Sequence, residues 1–158
     1  MFEVLFLLAF TLHNIEEGIW LPKWSGHAGK FHKKVSNREF HFALIVITIF
    51  GYMVTFTFLS FGQYFGVFTY IYLGFIFMMC LNSIFPHLLA TIVLRRYTPG
   101  TLTGLLLNLP FGVAIICKNL ELGMQLHLIL VAGIIESGLI IALLRPLFKL
   151  GRLLIDEY

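Results

Sequence analysis

The chain of 158 residues is 59% hydrophobic and only 12% charged, whereas soluble domains carry about 25% charged residues. This composition excludes an ordinary soluble domain. Several apolar runs exceed the 18 or so residues that predict a transmembrane helix. The net charge of +3 at pH 7 comes from basic residues in the loops. It therefore indicates membrane topology, and nucleic acid is not an expected partner.

The apolar runs predict five transmembrane helices in a single membrane domain over residues 1–158. The first helix is predicted to end at Pro22, because proline lacks the N–H that continues a helix. The tail over 146–158 carries basic residues on one face and leucines on the other, which is typical of a short amphipathic helix on the membrane surface. The expected fold is an all-α, polytopic bundle. Its predicted spans are about 2–21, 40–60, 64–94, 101–117 and 123–144.

Three local signals refine these helices. Ser36 and Glu39 match a capping box at the start of the second helix, where each residue binds a free backbone N–H of the other. Pro86 predicts a bend in the third helix, which is too long to cross a bilayer straight. Thr98 and Pro99 are predicted as the N-cap and the first helical residue of the fourth helix.

The orientation follows from the lysines and arginines. They lie after the first helix, after the third helix and in the tail, whereas the opposite side carries only Lys118. Basic loops stay in the cytoplasm, so the N-terminus is expected outside and the C-terminus inside the cell membrane. The residues counted are Lys23, Lys30, Lys33, Lys34, Arg38, Arg95, Arg96, Arg145, Lys149 and Arg152.

Ionisable residues are concentrated in the half of the membrane that faces the basic loops. His13, Glu16 and Glu17 share one helix face, because residues three and four apart are neighbours on a helix. His87 and Glu136 lie at similar depth in other helices, about 12–13 Å from the basic loops. Such residues are costly inside a membrane and indicate a functional site.

Several buried ionisable groups require a cation, a proton or one another. Histidine and carboxylate ligands suit zinc, iron or manganese, so a site for one divalent transition metal ion is predicted. Glu16 is expected as a further ligand or as the general base for a metal-bound water, and Asn82 as a catalytic group that orients a ligand or polarises a carbonyl. A dinuclear iron site, ranked below a mononuclear one, a metal-free acid–base site and a purely structural network stay open. The predicted metal ligands are His13, Glu17, His87 and Glu136.

Substrate contacts are expected at the basic surface. Arg95 and Arg96 stand beside the start of the fourth helix, where free N–H groups and guanidinium groups favour an anion such as a phospholipid headgroup. The positive-inside bias explains the same two arginines without a ligand. His41, near the start of the second helix, is a further candidate for substrate binding. Membrane lipids are the expected partners.

Two blocks of the sequence resemble the HXXEE family of small integral membrane proteins. The run "HNIEE" fits the motif that names the family, and "NSIFPHLLATIVLRRYTPGTLTGLLLNLP" is similar to its second block. The resemblance covers most of the chain. It supports a site but implies no reaction, because the family is a domain of unknown function. The matching positions are His13, Glu16, Glu17, Asn82, His87, Tyr97, Pro99 and Gly100.

The sequence therefore predicts a membrane-embedded, metal-dependent enzyme, a hydrolase or an oxidoreductase. Its expected substrate is a lipid or another apolar molecule near the cytoplasmic leaflet. Three alternatives remain. The first is a metal-free Glu/His intramembrane peptidase. The second is a subunit of a proton- or cation-coupled transporter, for which so small a chain would need to form a homo-oligomer. The third is a structural or accessory membrane protein. Metal analysis separates the metal-dependent enzyme from the other three.

Overall fold

The structure is a computed structural model that describes residues 1–26 and 35–155. Five helices are long and apolar enough to cross a membrane, so the predicted all-α class is confirmed. The loop residues Lys30, Lys33 and Lys34 and the end of the tail, 156–158, lie outside the described residues. The helices are α1 (Phe2–Ser25), α2 (Asn37–Phe61), α3 (Gly66–Leu94), α4 (Thr101–Glu121) and α5 (Leu126–Ile155).

Helix α3 lies at the centre of the bundle and contacts α2, α4 and α5. Its middle section has Tyr72, Leu73, Phe75 and Ile76 fully buried. Aromatic rings of α1 close the core from the other side, and Phe10 meets Phe75 edge to face with ring centroids 5.2 Å apart. A helix that is apolar all round is expected in such a central position, because every face has an apolar neighbour.

Two helices continue through prolines beyond the ends predicted for their spans. Helix α1 continues through Pro22 to Ser25, and α5 continues through Pro146 to Ile155. The tail is thus helical, as predicted, but it is the last part of α5 and not a separate surface helix. A proline removes one hydrogen bond from a helix, and tertiary contacts hold the chain here. Arg152 of α5 donates to the buried Glu39 of α2.

Both helices of the second sequence block contain a widened turn. In α3 the turn is Ser83–Leu88, where Phe85 has an extended backbone (φ −127°, ψ 114°), so the bend predicted at Pro86 is confirmed. In α4 the turn is Gly104–Asn108. The two turns touch, because a Cβ on Gly104 would lie 2.8 Å from Oγ of Ser83. A wide turn such as that of α4 often marks a functional site, whereas the turn of α3 is a break in the helix at Phe85.

The two predicted helix starts have different outcomes. The capping box of Ser36 and Glu39 is present. The prediction for α4 is wrong: its N-cap is Gly100, in the left-handed conformation (φ 90°), and not Thr98. The N–H of Leu102 binds the hydroxyl of Tyr97, whereas the N–H groups of Gly100 and Thr103 take their acceptor from another helix.

Candidate functional site

Three potential metal ligands converge between α1 and the bend of α3. One ligand atom each of His13, Glu17 and His87 lies within 4.8 Å of the other two. Oε1 of Glu17 is 2.9 Å from Nε2 of His87 and 3.8 Å from Nε2 of His13. The two imidazole rings meet edge to face, with centroids 5.1 Å apart. Both histidines are buried, so the group is shielded from solvent by the bundle.

Asn82 stands beside both histidines. Its Nδ2 atom lies 3.3 Å from Nε2 of His13 and 3.1 Å from Nε2 of His87. A side-chain amide nitrogen has two protons and no lone pair to offer, so it satisfies both rings only when both Nε2 atoms are unprotonated. Asn82 is one residue before the widened turn of α3 and His87 lies within it. The bend therefore brings the two residues to one face of the site.

Thr103 determines which nitrogen of His13 faces the centre. Its hydroxyl donates to Oε2 of Glu16 at 2.6 Å, and a hydroxyl has only one proton to give. The 3.2 Å contact between Oγ1 of Thr103 and Nδ1 of His13 therefore has the imidazole as donor. His13 then carries its proton on Nδ1 and keeps a lone pair on Nε2. Metal-ligating histidines are oriented in this way by a hydrogen bond from the second nitrogen.

Glu16 accepts hydrogen bonds on both carboxylate oxygens from the segment that begins α4. Oε1 accepts from the N–H of Gly100 at 2.7 Å and from the hydroxyl of Tyr97. Oε2 accepts from the N–H of Thr103 at 3.1 Å as well as from its hydroxyl. The carboxylate thus caps the N-terminus of α4 from α1, where a negative charge is favourable. Desolvation of its hydroxyl, together with the bond to Glu16, raises the pKa of the half-exposed Tyr97 to about 12.

Gly100 makes the close approach of this segment possible. A Cβ at this position would lie 2.8 Å from Cε1 of His87 and 2.9 Å from Cε1 of His13. Its φ of 90° is also a conformation that side-chain-bearing residues rarely adopt. The glycine therefore lies directly against both imidazoles, and its N–H binds Glu16.

The geometry suits a small cation. In a tetrahedral site with metal–ligand bonds of about 2.0–2.1 Å, two ligand atoms lie about 3.3 Å apart. This value falls between the distances from Oε1 of Glu17 to Nε2 of His87, 2.9 Å, and to Nε2 of His13, 3.8 Å. Two histidines and one glutamate form the ligand set of several catalytic zinc sites, and two histidines with one carboxylate form that of non-haem iron oxygenases. Both sets leave coordination positions for water or substrate. Nδ1 of His87 has no hydrogen-bond partner among the described residues.

The other predicted site residues lie elsewhere. The carboxylate of Glu16 belongs to the cap of α4 and not to the group of potential ligands. Glu136 of α5 lines a separate cavity between α2 and α5. His41 contacts the carbonyl oxygen of Gly18 through Nε2 at 2.7 Å and lines an open groove between α1 and α2.

Arg95 and Arg96 are exposed at the end of α3, where Arg95 has a left-handed backbone (φ 48°). They precede Tyr97 and the cap of α4 without entering the group of potential ligands. Thr103 is the residue that sequence reasoning missed. One signal in the sequence could have identified it. Thr103 is a polar residue two positions after the start of an apolar helix, and it lies in the block that resembles the HXXEE family.

The family described as "Protein of unknown function with HXXEE motif" matches residues 4–115. The match contains all the residues of the site described above. The chain is also similar to the "Uncharacterized protein YrkK" of Bacillus subtilis (strain 168), with 47% identity over 154 residues, which is 95% of each chain. No solved structure matches the chain.

Proposed function

The chain belongs to the HXXEE family, and we propose that it is a membrane-embedded enzyme that holds one divalent transition metal ion on His13, Glu17 and His87. The observation that carries the proposal is the convergence of these three ligand atoms, together with the hydrogen bond that leaves a lone pair on Nε2 of His13. Zinc, iron and manganese accept such ligands. The ion would polarise a substrate carbonyl or activate a water molecule.

The surrounding residues support the ion in different ways. Asn82 donates to the same Nε2 lone pairs that the ion would use, so binding of the ion would free its NH₂ group to donate to a polar group of the substrate. Glu16 and Thr103 are positioning residues that act through His13. Both oxygens of Glu16 are already engaged by hydrogen bonds, and this favours positioning over the predicted role as a general base.

The substrate is a lipid or another apolar molecule that reaches the site from the cytoplasmic leaflet of the cell membrane. The proposed orientation, with the N-terminus outside and the C-terminus inside, rests on the basic loops. Exposed Arg95 and Arg96 then lie at the cytoplasmic surface next to the site and attract an anionic headgroup. Replacing both by glutamine should weaken the binding of an anionic lipid in a salt-sensitive way. Binding that is unchanged would leave these arginines with a topological role only.

Metal content is the direct test of the proposed centre. The full chain, purified in detergent without chelators, should contain about one equivalent of metal by mass spectrometry of the elements. His13→Ala and His87→Ala should each remove most of it, and the double variant should lose little more, because ligands of one ion act as a unit. His127→Ala is the matched control, since this histidine is exposed at the start of α5. Equal metal content in the parent, the two single variants and the double variant would refute the centre.

A metal-free reaction is the second candidate, and the 2.9 Å contact between Glu17 and His87 favours it. A carboxylate paired with a histidine can activate water by general acid–base catalysis, as an intramembrane peptidase requires. The same experiment separates the two. Protein that is active and free of metal would support this second function.

A further inference from the structure

The cavity between α2 and α5 that Glu136 lines has a volume of about 180 Å³. Val46, Ile47 and Phe50 of α2 line one side, and leucines and an isoleucine of α5 line the other. Glu136 is the one polar side chain among its described lining residues. The cavity holds none of the three residues of the proposed metal centre.

One oxygen of the Glu136 carboxyl group is buried without a hydrogen-bond partner in the described part of the chain. The residue is 8% exposed, and Oε2 has no hydrogen-bond partner among the described residues. Oε1 lies against the backbone of α3, because a Cβ on Gly74 would come within 2.8 Å of it. Glu136 is about 13 Å along α5 from Arg145. A glutamate side chain is too short to reach the membrane surface from this depth.

A ligand of this cavity must satisfy one carboxyl group and otherwise be apolar. A polar group without a partner in an apolar environment is costly, and an unpaired charge costs more. Calcium and magnesium need six or more oxygen ligands, and zinc sites need at least three protein ligands. One glutamate supplies neither. An organic amine needs only one carboxylate as its counter-ion and brings its own hydrocarbon to fill the cavity.

The volume indicates the size of such a ligand. An engineered protein cavity of about 150 Å³ lined by aliphatic and aromatic side chains binds benzene. A cavity of about 180 Å³ therefore accepts a ring of that size with one amino group.

We propose that this cavity binds a small lipophilic amine, at a site separate from His13, Glu17 and His87. The carboxyl group of Glu136 transfers its proton to the amine nitrogen, and the resulting ammonium and carboxylate form an ion pair. The aliphatic side chains of α2 and α5 contact the hydrocarbon part. No covalent bond forms or breaks apart from this proton transfer.

Labelling with N,N′-dicyclohexylcarbodiimide tests the site in the full chain. The hydrophobic reagent adds to a protonated carboxyl in an apolar environment. The acid proton goes to one nitrogen and the carboxyl oxygen bonds to the central carbon, and the adduct rearranges to a stable N-acylurea. Peptide mass spectrometry should find the adduct on Glu136. The label should be absent in Glu136→Gln, and the exposed Glu121 serves as the internal control.

Protection by added ligands then identifies the class. N,N-Dimethylbenzylamine, a tertiary amine that forms no stable amide with the activated carboxyl, should protect Glu136 at a concentration about tenfold or more below that of benzyl alcohol, because only the amine forms a charged pair. Equal protection by both would overturn the proposal, since the cavity would then bind any small apolar molecule. Absence of label on Glu136 in folded protein would also overturn it. Loss of metal in Glu136→Gln would assign Glu136 to the metal centre and would likewise refute a separate site.

Discussion

Replacing Glu16 by glutamine distinguishes its roles more sharply than any other change. Each carboxylate oxygen accepts one backbone N–H, from Gly100 at Oε1 and from Thr103 at Oε2. Neither N–H can become an acceptor. A glutamine has one oxygen and one NH₂ group. Whichever way the amide lies, its NH₂ group therefore faces a backbone donor and leaves it without a partner.

The expected loss of stability can be built from these contacts. A buried donor without a partner costs about 1–3 kcal/mol. The loss of a negative charge at the N-terminus of α4 adds about 0.3–1 kcal/mol. Glu16→Gln should therefore lower the free energy of unfolding by roughly 1–4 kcal/mol. For a domain of this size that corresponds to about 2–4 °C in melting temperature for each kcal/mol. Glu121→Gln, at an exposed position, is the matched control and should melt like the parent.

Metal affinity supplies the second measurement. With glutamine at position 16, Thr103 no longer donates to a carboxylate, and the hydrogen bond that orients His13 is weakened. Loss of such a supporting contact lowers metal affinity by about 10–100-fold, whereas loss of a ligand empties the site. Competition with a chelator distinguishes the two. If Glu16→Gln has the same melting temperature as the parent and binds metal with unchanged affinity, Glu16 has no positioning role. If the variant keeps its metal affinity but loses activity, Glu16 is the general base.

Three further changes test neighbouring parts of the structure. Gly100→Ala should lower metal content and melting temperature together, because its Cβ would lie within 3.0 Å of both site histidines and its φ is positive; unchanged metal content would contradict the close packing. Thr103→Val should weaken metal binding by about 10–100-fold, as expected when a supporting hydrogen bond is lost, whereas Thr103→Ser, which keeps the hydroxyl, should not; equal affinities would remove Thr103 from the site. A reporter fused after Tyr158 should read cytoplasmic and one before Met1 external, and two ends on one side would refute five spans.

Local rules predicted all five helices, although not all of their ends, and part of the site. Apolar runs longer than a bilayer predict helices whatever their neighbours are, and all five are present. The spacing of His13 and Glu17 places them on one face because helix geometry repeats every 3.6 residues. Their depth, counted from the basic loops, also pointed to His87. The prolines show where local rules fail, since Pro22 and Pro146 lie inside helices that packing holds together.

The rotation of each helix about its axis depends on the whole bundle. Glu16 and Glu136 were predicted to face the same centre as His13. Instead, the turn before α4 packs against α1 and binds Glu16, while the contact of Gly74 with Ala132 and Glu136 turns Glu136 towards α2.

The amino-acid sequence by itself determined the class, the number of helices, and the face that His13 shares with Glu17, because these depend on hydrophobicity and on the local helical repeat. The tertiary structure decided which polar groups meet. Thr103 lies 90 residues from His13, and contacts at that separation arise only from packing. In this bundle the packing is set by glycines such as Gly74 and Gly100, whose lack of a side chain permits approaches that no local pattern in the sequence reveals.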